Sequence, residues 1–233
     1  KLGATMQRIR DLIANVQSEH PNDSFFSNIE ATWKTSRQAR AQYAAYDKVL
    51  RRLDENSWFE IKAKAMRHFL DHRNGQLKQG FFNQLNEAFA YRYLERCGCT
   101  DIQILRETGR TIPDISYKFE GSTASCEVKT IGISEEQIAR LEKIQAFSGT
   151  IYHRLSDGFL RKLNSTLTSA QSQIATQGGE GLVYLVVLFD DFTLMHYEKY
   201  RKQILETIHA HSAPNIYVKI GLLGKRRIVK GHL

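Results

Sequence analysis

The sequence feature that most constrains the fold is a continuous apolar run, Leu182–Phe189. The run is too short to cross a bilayer as a helix, which takes about 20 apolar residues. An apolar run of this length without polar alternation is typical of a strand that is buried on both faces of a sheet. Parallel strands of that kind are joined by helices, and helical patterns flank the run at Phe159–Thr176 and Glu198–Ala210. These features predict an α/β fold.

The first 75 residues have a helical pattern and lack strand alternation. Three of their segments are interpreted as helical: Thr5–Glu19, Ser27–Leu53 and Trp58–His72. Asn74-Gly75 then marks a boundary. We therefore expect a helical N-terminal region, residues 1–75, followed by a core domain, residues 76–233.

The core domain begins with a predicted helix, Phe81–Arg96, after which the pattern changes to strands. Asp101–Glu107 is one strand, and Thr111–Phe119 with Ser122–Thr130 forms a hairpin that turns at Glu120-Gly121. The further predicted elements, besides the apolar strand, are the helices Ser134–Gln145, Phe159–Thr176 and Glu198–Ala210 and the strand Asn215–Leu222. This order predicts a mixed β-sheet flanked by helices, because the hairpin is antiparallel while helical crossovers favour parallel neighbours.

The composition favours a polyanionic partner. The formal net charge is +8, and phosphate contacts supply most non-specific affinity for nucleic acid. Solvated Lys and Arg faces are common, so the charge alone is a weak signal. The three cysteines have no disulfide or zinc spacing, which suggests a reducing, cytoplasmic compartment. No apolar run is long enough for a transmembrane helix, so we expect no membrane partner.

The predicted hairpin carries three charged side chains whose spacing brings them together. Asp114 lies early in the first arm, and Glu127 and Lys129 lie late in the second arm. Because side chains alternate along a strand, Glu127 and Lys129 point to one face while Cys126 and Val128 point into the core. The turn places Asp114 approximately opposite Glu127. We therefore expect two carboxylates and an ammonium group to converge on one face.

This grouping suits a divalent metal. Two neighbouring carboxylates repel each other unless a cation neutralises them, and a few oxygen ligands completed by water suit Mg²⁺, with Mn²⁺ as a substitute. Such a metal can polarise a phosphodiester and lower the pKa of an attacking water. Lys129 could orient that water or stabilise developing charge. Glu87, on the preceding helix, could be a further ligand if its side of the helix meets the sheet.

The motif Pro113-Asp114, followed after 12 residues by Glu127-Val128-Lys129, resembles the P-D…(D/E)-x-K signature of the restriction-endonuclease-like nuclease superfamily. The order helix–strand–strand–strand–helix–strand over about residues 80–189 is also similar, with one extra helix before the last strand. The resemblance implies a phosphodiester-cleaving core. In that core Asp114 and Glu127 bind the metal, Lys129 assists catalysis, and Glu87 is a conditional additional ligand.

The implied function is a Mg²⁺-dependent endonuclease that hydrolyses DNA, such as a type II restriction endonuclease. Its partner would be double-stranded DNA, with RNA left open. A homodimer would follow from the need to cut two strands. The alternative is a non-catalytic DNA-binding or assembly module that retains the fold, and the intact trio of Asp114, Glu127 and Lys129 argues against it.

Each feature also has a simpler structural explanation. Glu127 and Lys129 by themselves could be an ordinary surface ion pair, although the complete trio favours a site. The aromatic residues Tyr43, Tyr46 and Trp58 could stack on bases, but we expect them in the core. Some nucleases of the family that the motif resembles use a Gln or Lys on the helix that corresponds to Phe159–Thr176, but a solvated polar face is the favoured interpretation here. The residues concerned there are Arg161, Lys162, Asn164, Gln171 and Gln173.

Overall fold

The computed structural model describes residues 6–71, 78–109, 111–132, 154–178, 180–189 and 194–231. Within these ranges the chain is an α/β protein with a six-stranded mixed sheet flanked by helices, which confirms the predicted general class. None of the helices in these ranges combines the length and the apolarity that a membrane span requires.

The first half of the chain is largely helical. Its helices are α1 Gln7–Glu19, α2 Ile29–Thr35, α3 Arg37–Leu50, α4 Glu55–Arg67, α5 Gln79–Leu85 and α6 Glu87–Arg96. The predicted segment Ser27–Leu53 is therefore two helices rather than one. Ser36 separates them because its backbone is extended, and its hydroxyl caps α3 by accepting a hydrogen bond from the Ala39 N–H at 3.1 Å.

The single helix predicted over Phe81–Arg96 is also divided, and Asn86 lies between α5 and α6. Its backbone stays in the right-handed helical region, so the chain keeps its helical course. The buried Asn86 side chain accepts a hydrogen bond from the Tyr46 hydroxyl at 3.2 Å and donates one to Thr130 Oγ1 at 2.9 Å. These contacts come from distant parts of the chain and hold the junction in place, immediately before Glu87, the first residue of α6.

The strands occur in the sheet in their chain order. They are β1 Thr100–Ile104, β2 Ile115–Phe119, β3 Ser122–Ile131, β4 Gly181–Val187, β5 Ile216–Ile220 and β6 Arg227–Lys230. The β2–β3 hairpin is antiparallel as predicted, whereas β3–β4 and β4–β5 are parallel. The predictions missed β6, which pairs antiparallel with β5, because this short edge strand has the sequence appearance of a terminal run of charge.

The later helices are α7 Asp157–Ala175 and α8 Tyr197–Ala210, close to their predicted bounds. The predicted helix Ser134–Gln145 lies outside the described residues. The cysteines, Cys97, Cys99 and Cys126, are free thiols, in agreement with the predicted absence of disulfides.

Two apolar cores lie on the two faces of the sheet. The first joins the N-terminal helices to the sheet, since Ile61 and Phe69 belong to the same continuous cluster as Tyr184. Tyr46 and Trp58 are buried in this core, as expected for them. The second core lies between the other face of the sheet and helices α7 and α8. Strand β4 contributes to both cores and is buried along its whole length, as its apolar run predicts.

The parallel pairing of β3 with β4 requires glycine at position 181. A Cβ atom placed on Gly181 would stand 1.9 Å from the carbonyl oxygen of Ser125. We expect Gly181→Ala to lower the free energy of unfolding by more than about 3 kcal/mol, because backbone rather than a flexible side chain must move. Urea denaturation followed by circular dichroism measures this loss.

The matched control is Gly121→Ala in the hairpin turn. Gly121 has a φ of +82° and no atom within 4 Å of a built Cβ, so the substitution costs only the left-handed backbone strain of about 1–2 kcal/mol. Equal losses in the two variants would contradict the steric argument.

Candidate active site

The β2–β3 hairpin places Asp114 across from Glu127. Ile115 pairs with Cys126, so the preceding residue, Asp114, stands opposite Glu127. Asp114 was predicted to lie early in the first strand of the hairpin. In the structure it lies immediately before that strand, which begins at Ile115. Asp114 Oδ2 accepts a hydrogen bond from the Val128 N–H at 2.8 Å, so the side chain of Asp114, rather than its backbone, bonds to the backbone of β3 at this point. That bond holds the carboxylate against β3.

Glu127 and Lys129 point to the same side of β3, as the alternation predicts. The Lys129 ammonium group donates to Glu127 Oε1 at 2.5 Å and to Gln173 Oε1 of α7 at 2.6 Å. Glu127 is only 1 % exposed, whereas Lys129 is half-buried. On the opposite side of the strand, Cys126 lies in the core beneath the N-terminal helices. The lysine is therefore held in place from two elements.

One oxygen of the Glu127 carboxylate stands apart from the contacts described so far. Its Oε2 atom is buried and has no hydrogen bond among the described residues. An unsatisfied buried carboxylate oxygen is energetically costly, and native proteins rarely leave one without a ligand, a water or an ion. This oxygen is therefore available to a cation.

The electrostatic environment also favours a cation at these carboxylates. Burial and the neighbouring charge of Asp114 raise the pKa of Glu127, Lys129 lowers it, and the net result is a pKa of about 8. Burial likewise raises the pKa of Asp114, while Lys64 and the hydrogen bond from Val128 lower it. Two desolvated carboxylates, of which one raises the pKa of the other, gain from a positive charge between them.

Glu87 reaches the same region but is already paired. Its two carboxylate oxygens accept hydrogen bonds from the Lys64 ammonium group of α4 at 3.1 and 2.9 Å, and both side chains are almost fully buried. Burial and the charge of Asp114 raise the pKa of Glu87, and Lys64 opposes this. No cation stands three or four residues from Glu87 on its own helix, so its partner comes from 23 positions earlier in the chain.

Lys64 is not among the residues predicted for the site. Its signal is its position on the buried side of α4, which it shares with Trp58, Ile61 and Ala65. A lysine within an otherwise buried stripe needs a counter-ion, and Glu87 is that counter-ion.

These residues line one open cleft with a volume of about 810 Å³. It includes all four predicted site residues, Asp114, Glu127, Lys129 and Glu87. The cleft also contains Lys64, Arg67, His68, Glu107 and Gln173. Of the five polar α7 residues considered above, Gln173 is the one that lines the cleft, so the interpretation as a solvated face fails at that position.

In the described part of the chain, no group of three or more His, Cys, Asp or Glu side chains is arranged as a ready metal cluster. Glu87 is engaged by Lys64, and Glu107 is engaged by Arg67 and His68. Asp114 and Glu127 are the carboxylates left for a metal. One or two protein carboxylates completed by waters and substrate oxygens suit Mg²⁺, so the donor set fits this ion.

Comparisons of the chain with protein-family models, with curated proteins and with solved structures find no match. The geometry and the chemistry of the cleft are therefore the basis on which its function is proposed.

The ion pair between Lys64 and Glu87 gives a stability prediction. Lys64→Met removes the counter-ion of a buried carboxylate, which should lower the free energy of unfolding by about 3 kcal/mol. Chemical denaturation measures the change. Lys62→Met, on the same helix, is the control, because its lysine is partly exposed and lies 3.8 Å from Asp11. The control should lose less than about 1 kcal/mol. A similar loss in both variants would show that the buried ion pair contributes no more to the free energy of unfolding than a partly exposed lysine does.

The buried Glu127 gives a pH prediction. Its folded pKa of about 8 lies above the usual value of 4.5, so the folded state favours the protonated carboxyl. The contribution of this group to the free energy of unfolding is fully present below about pH 4.5. It is lost as the pH rises through about 8, because the buried carboxyl must then ionise. In metal-free buffer, Glu127→Gln should therefore gain stability over the wild type between pH 5 and 8, by about 1 kcal/mol or more.

Thermal unfolding at several pH values in the presence of EDTA tests this prediction. Glu120→Gln, in the exposed hairpin turn, removes a carboxylate of the same type and should show no such trend. A stability difference for Glu127→Gln that stays constant with pH would contradict the prediction.

Proposed function

We propose that the chain is a metal-dependent endonuclease that hydrolyses phosphodiester bonds of DNA through a restriction-endonuclease-like core. The observation that carries this proposal is the convergence of Asp114, Glu127 and Lys129 in one cleft, where the buried Glu127 Oε2 has no partner among the described residues. The observed order α6–β1–β2–β3–α7–β4 supports it as well, because it follows the order of elements that the resemblance implies.

Asp114 and Glu127 are the residues that would hold Mg²⁺, with Mn²⁺ as a substitute. When bound, the metal would polarise the phosphodiester and lower the pKa of the attacking water. The hydrogen bond from the Val128 N–H fixes Asp114, and burial fixes Glu127, so the two carboxylates need little rearrangement to bind it.

Lys129 supplies a positioned ammonium group. The group has three hydrogens, of which two point to Glu127 and Gln173. Since no further acceptor for the group is found among the described residues, the third hydrogen would serve a phosphate oxygen or the attacking water. A donor held in this way stabilises charge that develops on the phosphate without reorganising during the reaction. Gln173 acts as a positioning residue, because it contacts the lysine and not the metal ligands.

Glu87 has a different role in this proposal from that of Asp114 and Glu127. With both of its oxygens on Lys64, it serves as the counter-ion of that lysine and leaves the metal to the other two carboxylates. It could enter the metal shell only by exchanging Lys64 for the ion.

Double-stranded DNA is the proposed substrate, and the net charge of +8 favours such a partner. A type II restriction endonuclease acting as a homodimer is one form that this function takes, since two sites would cut the two strands. The same charge also favours the second candidate, a DNA-binding or assembly module without catalysis. Cleavage discriminates between the two.

The test is cleavage of plasmid and linear duplex DNA in the presence of Mg²⁺ or Mn²⁺. We expect Lys129→Ala and Asp114→Asn to lose at least about 100-fold in rate, because each removes a group that acts on the reacting phosphate or on the metal. Lys118→Ala is the matched control, since this β2 lysine pairs at the surface with Asp101. It should keep the wild-type rate.

Metal binding separates the roles of the carboxylates independently of activity. Titration with Mn²⁺ followed by electron paramagnetic resonance should show binding lost in Asp114→Asn and Glu127→Gln but retained in Glu87→Gln. Failure to cleave with any divalent metal would rule out the enzyme. Full activity in Asp114→Asn would show that the protein is a nuclease whose active site does not depend on Asp114.

A further inference from the structure

Away from the cleft, cations and tyrosines gather on one face of the sheet near its β6 edge. We name this surface the basic tyrosine face, and it consists of Tyr93, Arg96, Tyr217, Lys219 and Arg227. Tyr93 and Arg96 lie one turn apart on α6, and the other three lie on β5 and β6. The ring centroids of Tyr93 and Tyr217 are 4.1 Å apart, so the helix and the strand meet there.

The strand registers put these side chains on the same side of the sheet. Tyr217 and Lys219 are two apart on β5, and Tyr217 packs against the core that includes the N-terminal helices. On β6, Ile228 is buried in the opposite core, so its neighbours Arg227 and Val229 point to the side of Tyr217. Val229 is 42 % exposed, which shows that this part of the face is open.

Lys219 and Arg227 stand directly opposite each other across the β5–β6 ladder. The Ile220 N–H donates to the Arg226 carbonyl oxygen at 3.0 Å, which makes the adjacent Lys219–Arg227 pair one of the pairs without hydrogen bonds. Side chains are closest in such pairs, and like charges there are destabilising. The fold therefore keeps two cations together at a cost.

Within the described ranges, no carboxylate neutralises the cations of this face. Among the described residues, Arg96, Lys219 and Arg227 form no ion pair with a carboxylate. The half-buried Lys219 ammonium group rests 5.2 Å from the Phe89 ring centroid, and burial lowers the pKa of Lys219. A cation that has lost part of its hydration and has no carboxylate nearby gains from an external anion.

Protection of a sheet edge does not account for the arrangement. Lysine and arginine on an edge strand hinder pairing with other chains, and this could explain Arg227 on β6. Lys219 lies on β5, however, which has a hydrogen-bonded neighbour on each side. The charge of Lys219 therefore does not serve to protect an exposed sheet edge.

We propose that the basic tyrosine face binds the phosphate backbone of a nucleic acid outside the cleft. This inference rests on the proposed function in taking nucleic acid as the partner. Closely spaced arginine and lysine side chains suit phosphate groups, and a polyanion relieves the repulsion between Lys219 and Arg227. Phe89, beneath Lys219, follows Glu87 by two residues on α6, so one helix borders the cleft and supports this face.

The test is the salt dependence of binding to a fluorescently labelled DNA duplex, measured by anisotropy in EDTA so that no cleavage occurs. Lys219→Gln/Arg227→Gln should weaken binding about tenfold and reduce the slope of log K against log salt by roughly 2, since each phosphate contact contributes about 0.9. Arg227→Gln alone, at an exposed position, should reduce the slope by about half as much.

Lys199→Gln/Lys202→Gln is the matched control. It removes the same charge from exposed positions of α8, which packs on the opposite face of the sheet. Its slope should stay close to that of the wild type. The melting temperature of Lys219→Gln/Arg227→Gln should be unchanged or higher, because a repulsive pair has been removed.

Equal slopes for the two double variants would overturn the inference, and so would a lower melting temperature, which would make the cations structural. Competition by poly-glutamate as effective as that by DNA would also overturn it, in favour of an acidic polypeptide partner. Normal cleavage with an unchanged slope would refute this face and leave the nuclease standing. A slope that falls as expected in Lys219→Gln/Arg227→Gln, together with no cleavage in any metal, would support this face and refute the nuclease.

Discussion

Buried carboxylates and the lysines that face them form the constraint around which this structure is organised. Glu87 and Glu127 are almost fully buried beside Asp114, an arrangement that needs either positive charge nearby or protonation of a carboxyl. Lys64 neutralises Glu87 from one side of the sheet, and Lys129 partly neutralises Glu127 from the other. One oxygen of Glu127 is still unsatisfied among the described residues, and a metal would complete this balance.

The layers of the fold make this balance possible. Helices α4 and α6 cover one face of the sheet and contribute Lys64 and Glu87, while α7 covers the other face and contributes Gln173. Strand β3 lies between them: its Lys129 contacts Gln173 of α7, and the charge of Lys64 on α4 lowers the pKa of Glu127. The N-terminal helices are thus part of the wall of the cleft, and they share one core with the sheet.

The basic tyrosine face has the opposite sign but follows the same physical logic. At the cleft, one buried oxygen of Glu127 has no partner, and at the β5–β6 hairpin, Lys219 and Arg227 have no carboxylate partner, in both cases among the described residues. A folded chain tolerates such uncompensated groups because apolar burial elsewhere holds the backbone in place. A metal ion would be the proposed ligand for the first, and a phosphate backbone for the second.

The sequence by itself determined what depends on local periodicity. Alternation along a strand is enough to predict that Glu127 and Lys129 share a side, and the hairpin turn is enough to bring Asp114 opposite them. The apolar run predicts the buried strand β4 in the same way. Tertiary structure decided the contacts between distant segments: the ion pair of Lys64 with Glu87, the helix junction at Asn86, and the contact of Gln173 with Lys129. These depend on how helices pack across a sheet, which the spacing of residues within one element does not encode.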